Sequence, residues 1–163
     1  MKSKMNGALR ASACMLAFGL AAAGCGSDTP TQPLPFEEID EVEFDESLGI
    51  DLSEMTVTDS GLYYQDLTVG DGALAESESE VSVHYLLRLR NGQELETSVG
   101  GDPLTFTIDV SNIIPGFNEG VRGMRVGGER KLVIPPALAY GVRGPEGILI
   151  FDIELIEVVE AAP

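Results

Sequence analysis

The sequence predicts an α+β fold in which a curved antiparallel β-sheet wraps around one short α-helix. Three features carry this expectation: short runs of alternating apolar and polar residues, turn residues between them, and one helical stripe too short to stand alone. The runs begin after Thr56. Residues 62–69 form the first clear strand and end at the turn Gly70-Asp71-Gly72. In the next, Val81, Val83, Tyr85, Leu87 and Leu89 fall on one face, because side chains alternate along a strand. Asn91-Gly92 is a type I′ hairpin signal and returns the chain through residues 93–97. Leu104, Phe106, Ile108 and Val110 alternate again. Residues 148–159 form the longest strand, with Leu149, Phe151, Ile153 and Leu155 on one face.

The helix lies between these last two runs. Ile114, Phe117, Val121 and Met124 recur at steps of three, four and three, which places them on one helical face. Pro115 suits the first turn, where its missing N–H is not needed and its φ is already helical. Gly127-Gly128 permit the reversal into a strand at residues 130–134, and Pro135-Pro136 end that strand's ladder of donors. So short a helix is unstable alone in water, so the sheet must hold it.

Composition adds the organisation around this domain. The chain has 163 residues, 44% of them hydrophobic, with no Trp, one His and two Cys, and a formal charge of −17. Lys2, Lys4 and Arg10 form a positive n-region ahead of an apolar, alanine-rich run at residues 11–23 that is too short to span a bilayer. Small residues then lead to Cys25, which resembles the bacterial lipobox, where the Cys is diacylated and becomes the mature N-terminus. Ala22 stands where that pattern usually has Leu, so ordinary signal cleavage near Ala23 is the alternative. The expected organisation is a signal peptide at 1–24, an acidic Pro/Ser/Thr tether at 25–52 and the folded domain at 53–160. Such a protein is exported to the cell envelope and anchored to the membrane surface by lipid on Cys25. Within residues 36–52, Phe36, Ile39, Val42, Phe44 and Leu48 are spaced for partial docking or a helical turn.

Residues 25–87 hold sixteen Asp or Glu and no Lys or Arg, and loss of the n-region takes the charge from −17 to −20. Such a surface repels phosphate, which disfavours nucleic acid as a partner. The acidic segment lacks the glycine turn and ligand spacing of a calcium loop, and reads as solubilising. No metal, cofactor or covalent catalyst is expected. His84 lies on the strand face opposite Tyr85 and reads as a structural hydrogen-bonding residue, and no glycine spacing fits a phosphate loop.

Several separated motifs, in order, resemble the FKBP-type peptidyl-prolyl cis/trans isomerases. They are Val83-His84-Tyr85, Asn91-Gly92, Ile113-Ile114, Gly116-Phe117, Glu119-Gly120-Val121, Met124, Val126-Gly127, Lys131-Leu132, Ala139-Tyr140-Gly141 and Phe151-Asp152-Ile153-Glu154-Leu155. The likeness runs over residues 58–159. It implies the same α+β architecture and catalysis of prolyl isomerisation on exported proteins as they fold, with proline-containing polypeptides as substrates and macrolides as candidate inhibitors. The barrier to that reaction, about 18–20 kcal/mol, comes from amide resonance. An apolar cavity with a few hydrogen-bond donors suffices to favour the twisted amide.

By this resemblance Phe117 forms the pocket floor, and Tyr85 and Phe151 its aromatic walls. Ile114 supplies its backbone N–H, and Tyr140 its hydroxyl, to substrate carbonyls, while the Glu96 carboxylate borders the pocket. Leu95, Leu104 and Ile113 complete the substrate-binding surface. Read from the residues alone, Phe117, Phe151 and Leu104 default to core packing, and loop-borne Tyr140 is the best functional candidate. The chain departs from the family pattern in several places. Phe117 replaces Trp, Leu95 and Leu104 replace Phe, Glu96 replaces Asp, and the 141–150 loop is short and lacks the Ile-Pro-Pro tip. A more open, wetter pocket would leave an FKBP-fold binding module or chaperone with little turnover, which is the alternative reading.

Overall fold

The computed structural model describes residues 39, 42–141 and 147–159. The expected signal peptide, Cys25 and most of the tether therefore lie outside the described residues. Among the described residues, one antiparallel sheet holds β1 (Thr56–Val57), β2 (Tyr63–Thr68), β3 (Glu80–Leu89), β4 (Glu94–Thr97), β5 (Leu104–Thr107), β6 (Glu129–Ile134) and β7 (Leu149–Val159). Helix α1 (Pro115–Val121) lies against it. The order across the sheet is β1-β2-β6-β7-β3-β4, with β5 also on β3. This is the expected α+β architecture. No described helix is long and apolar enough to cross a membrane.

β3 and β7 form the spine, paired from Glu80↔Val159 to Leu89↔Leu149. Register shifts between Ser82 and Val83, between Leu87 and Arg88, and between Asp66 and Thr68 mark irregularities where a sheet bends and twists. Two short strands share the outer edge of β3. β5 pairs with its first half and β4 with its second. Tyr85 stands at the break between them, where Ser98 and Thr97 replace the missing ladder: Ser98 N–H and Thr97 Oγ1 donate to its carbonyl, and its N–H donates to Ser98 Oγ.

The inner face is apolar as the alternation requires. Val81, Val83, Leu132, Ile134, Phe151, Ile153 and Leu155 are buried against Phe117 and Val121 of α1. Two glycines bring the helix close. A Cβ on Gly120 would lie 2.3 Å from Leu132 Cδ1, and one on Gly116 would lie 2.4 Å from Ile134 Cγ2. Arg130, also buried, closes the helix C-terminus. Its guanidinium donates to the carbonyls of Gly120 and Arg122, pairs with Asp66 at 2.6 Å and stacks 4.6 Å from the Tyr64 ring centroid.

Two expectations need correction. The Asn91-Gly92 turn is not type I′, because Gly92 has positive φ but Asn91 does not. Leu89 O accepts from Gly92 N–H and Leu89 N–H donates to Gln93 O, the pattern of a three-residue loop with glycine in the left-handed position. Likewise the alternation at Leu104, Phe106 and Ile108 does not reach Val110, which is 68% exposed, because β5 ends at Thr107 and Asp109 turns the chain with φ 64°. The partial docking expected within residues 36–52 is found on the sheet's outer face. Ile39, Val42, Phe44, Leu48 and Ile50 lie over Val133, Ile148 and Ile150, all three nearly fully buried.

This covering segment is held by two 3-10 turns, Glu46–Leu48 and Leu52–Glu54, whose caps Asp45 and Asp51 accept from Ser47 and Ser53 N–H. Asp45 N–H donates to Arg90 O at 2.9 Å, tying the strap to the β3–β4 hairpin. The packed unit therefore begins N-terminal of Ser53. Further along the same face Asp152 is bracketed by Arg88 and by Lys131, the latter at 2.5 Å.

Candidate active site

At the break in the β3 edge, the inner face opens into a cavity of about 230 Å³. Phe117 (2% exposed) and Phe151 (5%) form its base, with ring centroids 5.0 Å apart at 71°. Tyr85 stands 6.0 Å from each of them, edge-on to Phe117 at 83°. Phe106 backs Phe117 from behind at 5.7 Å. Edge-to-face packing fixes ring orientations, so the base is a stiff apolar surface. β3 supplies Tyr85 and Leu87, β7 supplies Phe151 and α1 supplies Phe117, while Leu104 opens β5.

The polar groups stand at the rim. Pro115 bars Ile114 from helical backbone, and Ile114 accordingly has φ −55° and ψ 136°. Its carbonyl accepts from Phe117 and Asn118 N–H and starts the helix. Its own N–H has no acceptor among the described residues, and Ile114 lines the cavity. Tyr140 also lines it while remaining 63% exposed, as a side chain on a short loop does. Glu96 lines the cavity as well. Burial first, and then the pull and negative charge of the Glu96 carboxylate, push the Tyr85 phenol up to about 12. Tyr85 is thus a neutral donor throughout the physiological range.

The loop carrying Asn112 and Ile113 is clamped by Asp109. Its carboxylate accepts from Ser77 Oγ at 2.7 Å and from Arg122 at 2.7 Å, and its N–H donates to Asn118 Oδ1 at 3.1 Å. These bonds join the segment before β3, the turn after β5, and the middle and C-terminal end of α1, and they hold a non-glycine residue at positive φ.

Of the residues expected at the site, Tyr85, Glu96, Leu104, Ile113, Ile114, Phe117, Tyr140 and Phe151 line this one cavity. Leu95 does not. It is 41% exposed on β4, beside the bulge, and is shorter than an aromatic side chain at that position. Sequence reading missed Leu87 and Asn112 as lining groups, and Asp109 and Phe106 as supports. Leu87 was legible as a member of the Tyr85 face. Nothing in the local pattern distinguishes Asn112 or Asp109, because both act through folded-state neighbours. His84 lies on the opposite face, with Nδ1 3.2 Å from Ser98 Oγ.

Comparison with known proteins places this geometry. Residues 72–156 match the model of the family described as FKBP-type peptidyl-prolyl cis-trans isomerase. The FK506-binding protein of Neisseria meningitidis is 41% identical over 107 residues, covering 61% of this chain and 98% of that protein. FK506-binding protein 4 of Dictyostelium discoideum is 42% identical over 110 residues, but this chain spans only 30% of its length. Among solved structures, FkpA from Escherichia coli is similar at 37% identity and TM-score 0.61, covering 72% of this chain and 56% of that one. AtFKBP13 is similar at 38% identity and TM-score 0.61, covering 65% of this chain and 99% of that one. With the cavity, its aromatic base and the matched residues coinciding, the chain belongs to the FKBP-type peptidyl-prolyl cis-trans isomerase family.

Proposed function

We propose that this chain catalyses cis/trans isomerisation of X-Pro bonds in polypeptides by a noncovalent mechanism. The observation that carries the reading is that Ile114, whose N–H has no acceptor among the described residues, lines a cavity floored by Phe117 and Phe151. The proline ring seats on the aromatic base. A flanking carbonyl accepts from Ile114 N–H and a second from the Tyr140 hydroxyl. Planar amide is more polar than twisted amide, so an apolar surround costs the ground state more than the transition state. Donors held in place by Pro115 and the Asp109 clamp need no reorganisation as the bond rotates. Uncatalysed X-Pro isomerisation takes tens to hundreds of seconds, slow enough to limit folding.

A protease-free exchange assay on an X-Pro peptide tests this. The wild-type chain is expected to accelerate exchange, and Tyr140→Phe to lower kcat/KM about tenfold, the worth of one hydrogen bond. A folded wild-type chain that gives no acceleration would leave the binding-module reading in its place. FK506, which gives several relatives their names, is the natural competitor to add.

We also propose export and lipid anchoring through Cys25. The positive n-region, the apolar run and the small residues before Cys25 support this. Two acyl chains give stable anchoring where one does not. Mass measurement of the mature N-terminus is expected to find Cys25 first and acylated. An unmodified N-terminus near Ala23 or Gly24 would refute the anchor.

A further inference from the structure

Building on the isomerase reading, we infer that Asp109 is a positioning residue for the reaction. It stands outside the cavity and sets where Asn112, Ile113 and Ile114 lie over the aromatic base. The described residues hold two non-glycine residues at positive φ, Glu78 at 67° and Asp109 at 64°. Both lie at one junction. Glu78 N–H donates to Ile108 O at 3.1 Å, and Ile108 N–H donates to Ser79 O at 3.0 Å. Ser77 Oγ then donates to the Asp109 carboxylate at 2.7 Å. The left-handed region crowds Cβ against the following carbonyl, so such residues persist only where their surroundings over-determine them. The loop that leaves this junction is the one that supplies Asn112, Ile113 and Ile114 to the cavity.

The route from Asp109 to Ile114 is short. Asp109 N–H donates to Asn118 Oδ1 at 3.1 Å, and Asn118 Nδ2 donates back to Asp109 Oδ1 at 3.4 Å. The Asn118 backbone N–H donates to Ile114 O at 3.2 Å. Arg122, at the C-terminal cap of α1, donates to the same Asp109 oxygen at 2.7 Å. One helical residue therefore grips both ends of the loop. Between those ends, Ser111 N–H donates to Thr107 O at 3.0 Å and Ile113 N–H to Ser111 O at 2.9 Å. The peptide that carries the Ile114 N–H is fixed along with them.

Stability alone does not account for an aspartate here. The Asp109 and Arg122 side chains are 32% and 48% exposed, and a salt bridge so open to water contributes little. Glycine would adopt the same φ without steric cost. Aspartate keeps a strain that glycine would relieve, and what the carboxylate adds is a fixed geometry beside the cavity.

The test compares the full chain with Asp109→Gly and Asp109→Asn in the protease-free exchange assay, with urea denaturation and amide NMR spectra alongside. Asp109→Gly is expected to keep its urea midpoint near that of wild type. Its kcat should fall about tenfold with KM little changed, less than the roughly 100-fold that a misplacement of about 1 Å can cost. Asp109→Asn tolerates the left-handed region and still accepts from Arg122, so its kcat should stay within about threefold of wild type. The Ile113 and Ile114 amide resonances should broaden or split in the glycine variant and stay sharp in the asparagine variant. An unchanged kcat in Asp109→Gly would overturn the inference. So would a rate loss that merely matches the loss of folded protein. If Asp109→Gly does not fold, Arg122→Ala opens the same clamp from the helix side, and the same fall in kcat and the same broadening are expected of it. A wild type inactive on every peptide would count against the isomerase reading itself. The spectra then decide the loop separately, and sharp Ile113 and Ile114 resonances in Asp109→Gly would overturn the positioning as well.

Discussion

Phe117→Ala is expected to remove the site and most of the margin of stability together. Phe117 is 2% exposed and packs against Tyr85, Phe106 and Phe151, with centroid separations between 5.0 and 6.0 Å. Truncating a buried phenylalanine costs about 3–5 kcal/mol through lost transfer energy and the cavity left behind. A domain of this size is stable by only about 5–15 kcal/mol, so urea denaturation should show a large fall in midpoint. The remaining folded molecules lose the floor that seats the proline ring, and kcat/KM should drop about 100-fold, equivalent to about 2.7 kcal/mol. Phe117→Trp is the informative partner. It keeps an aromatic floor, introduces the chain's only tryptophan, and should retain activity within about tenfold of wild type. An alanine variant with unchanged kcat/KM would mean that catalysis does not use this cavity.

Truncating the chain to begin at Ser53 is expected to cost stability without touching catalysis. The truncation strips Ile39 and Leu48 from the outer face and uncovers Val133, Ile148 and Ile150, each at most 1% exposed in the intact protein. Burial of one such side chain contributes about 1.5–3 kcal/mol. The loss in a urea titration should be about 2–4 kcal/mol, the worth of one or two of them. The newly exposed patch should also bind a hydrophobic dye and promote self-association. Because the strap and the cavity lie on opposite faces of the sheet, kcat/KM per folded molecule should stay near wild type. Coincident denaturation curves for the two lengths of chain would show that the strap adds nothing.

Much of the fold was legible because period-two alternation is a local property. The faces Val81-Val83-Tyr85-Leu87-Leu89 and Leu149-Phe151-Ile153-Leu155 are buried or partly buried together, as their spacing requires. What failed was also local in appearance. Asn91-Gly92 fits a type I′ turn in isolation, but the bulge between Leu87 and Arg88 imposes a longer loop. Val110 continues an alternating pattern yet is exposed, because the Asp109 clamp diverts the chain before the pattern ends. The site was partly legible for a different reason. Tyr85, Ile114, Phe117, Tyr140 and Phe151 were assembled by likeness to a family, since aromatic residues that line a pocket look the same in sequence as those that fill a core.

By itself the sequence determined the elements, the buried face of most strands, the helix entry at Pro115 and the acidic charge of the chain. These follow from backbone sterics, side-chain alternation and composition, which need no knowledge of distant contacts. Only the tertiary structure decided that β4 and β5 divide one edge of β3, and that the break between them is where the cavity opens. It likewise decided that Leu95 stays out of the lining, that Asn112 enters it, and that an N-terminal strap closes the sheet's other face. The physical reason is common to all of these. Each depends on which surfaces meet across the sheet, and burial is a property of the meeting, not of either segment alone.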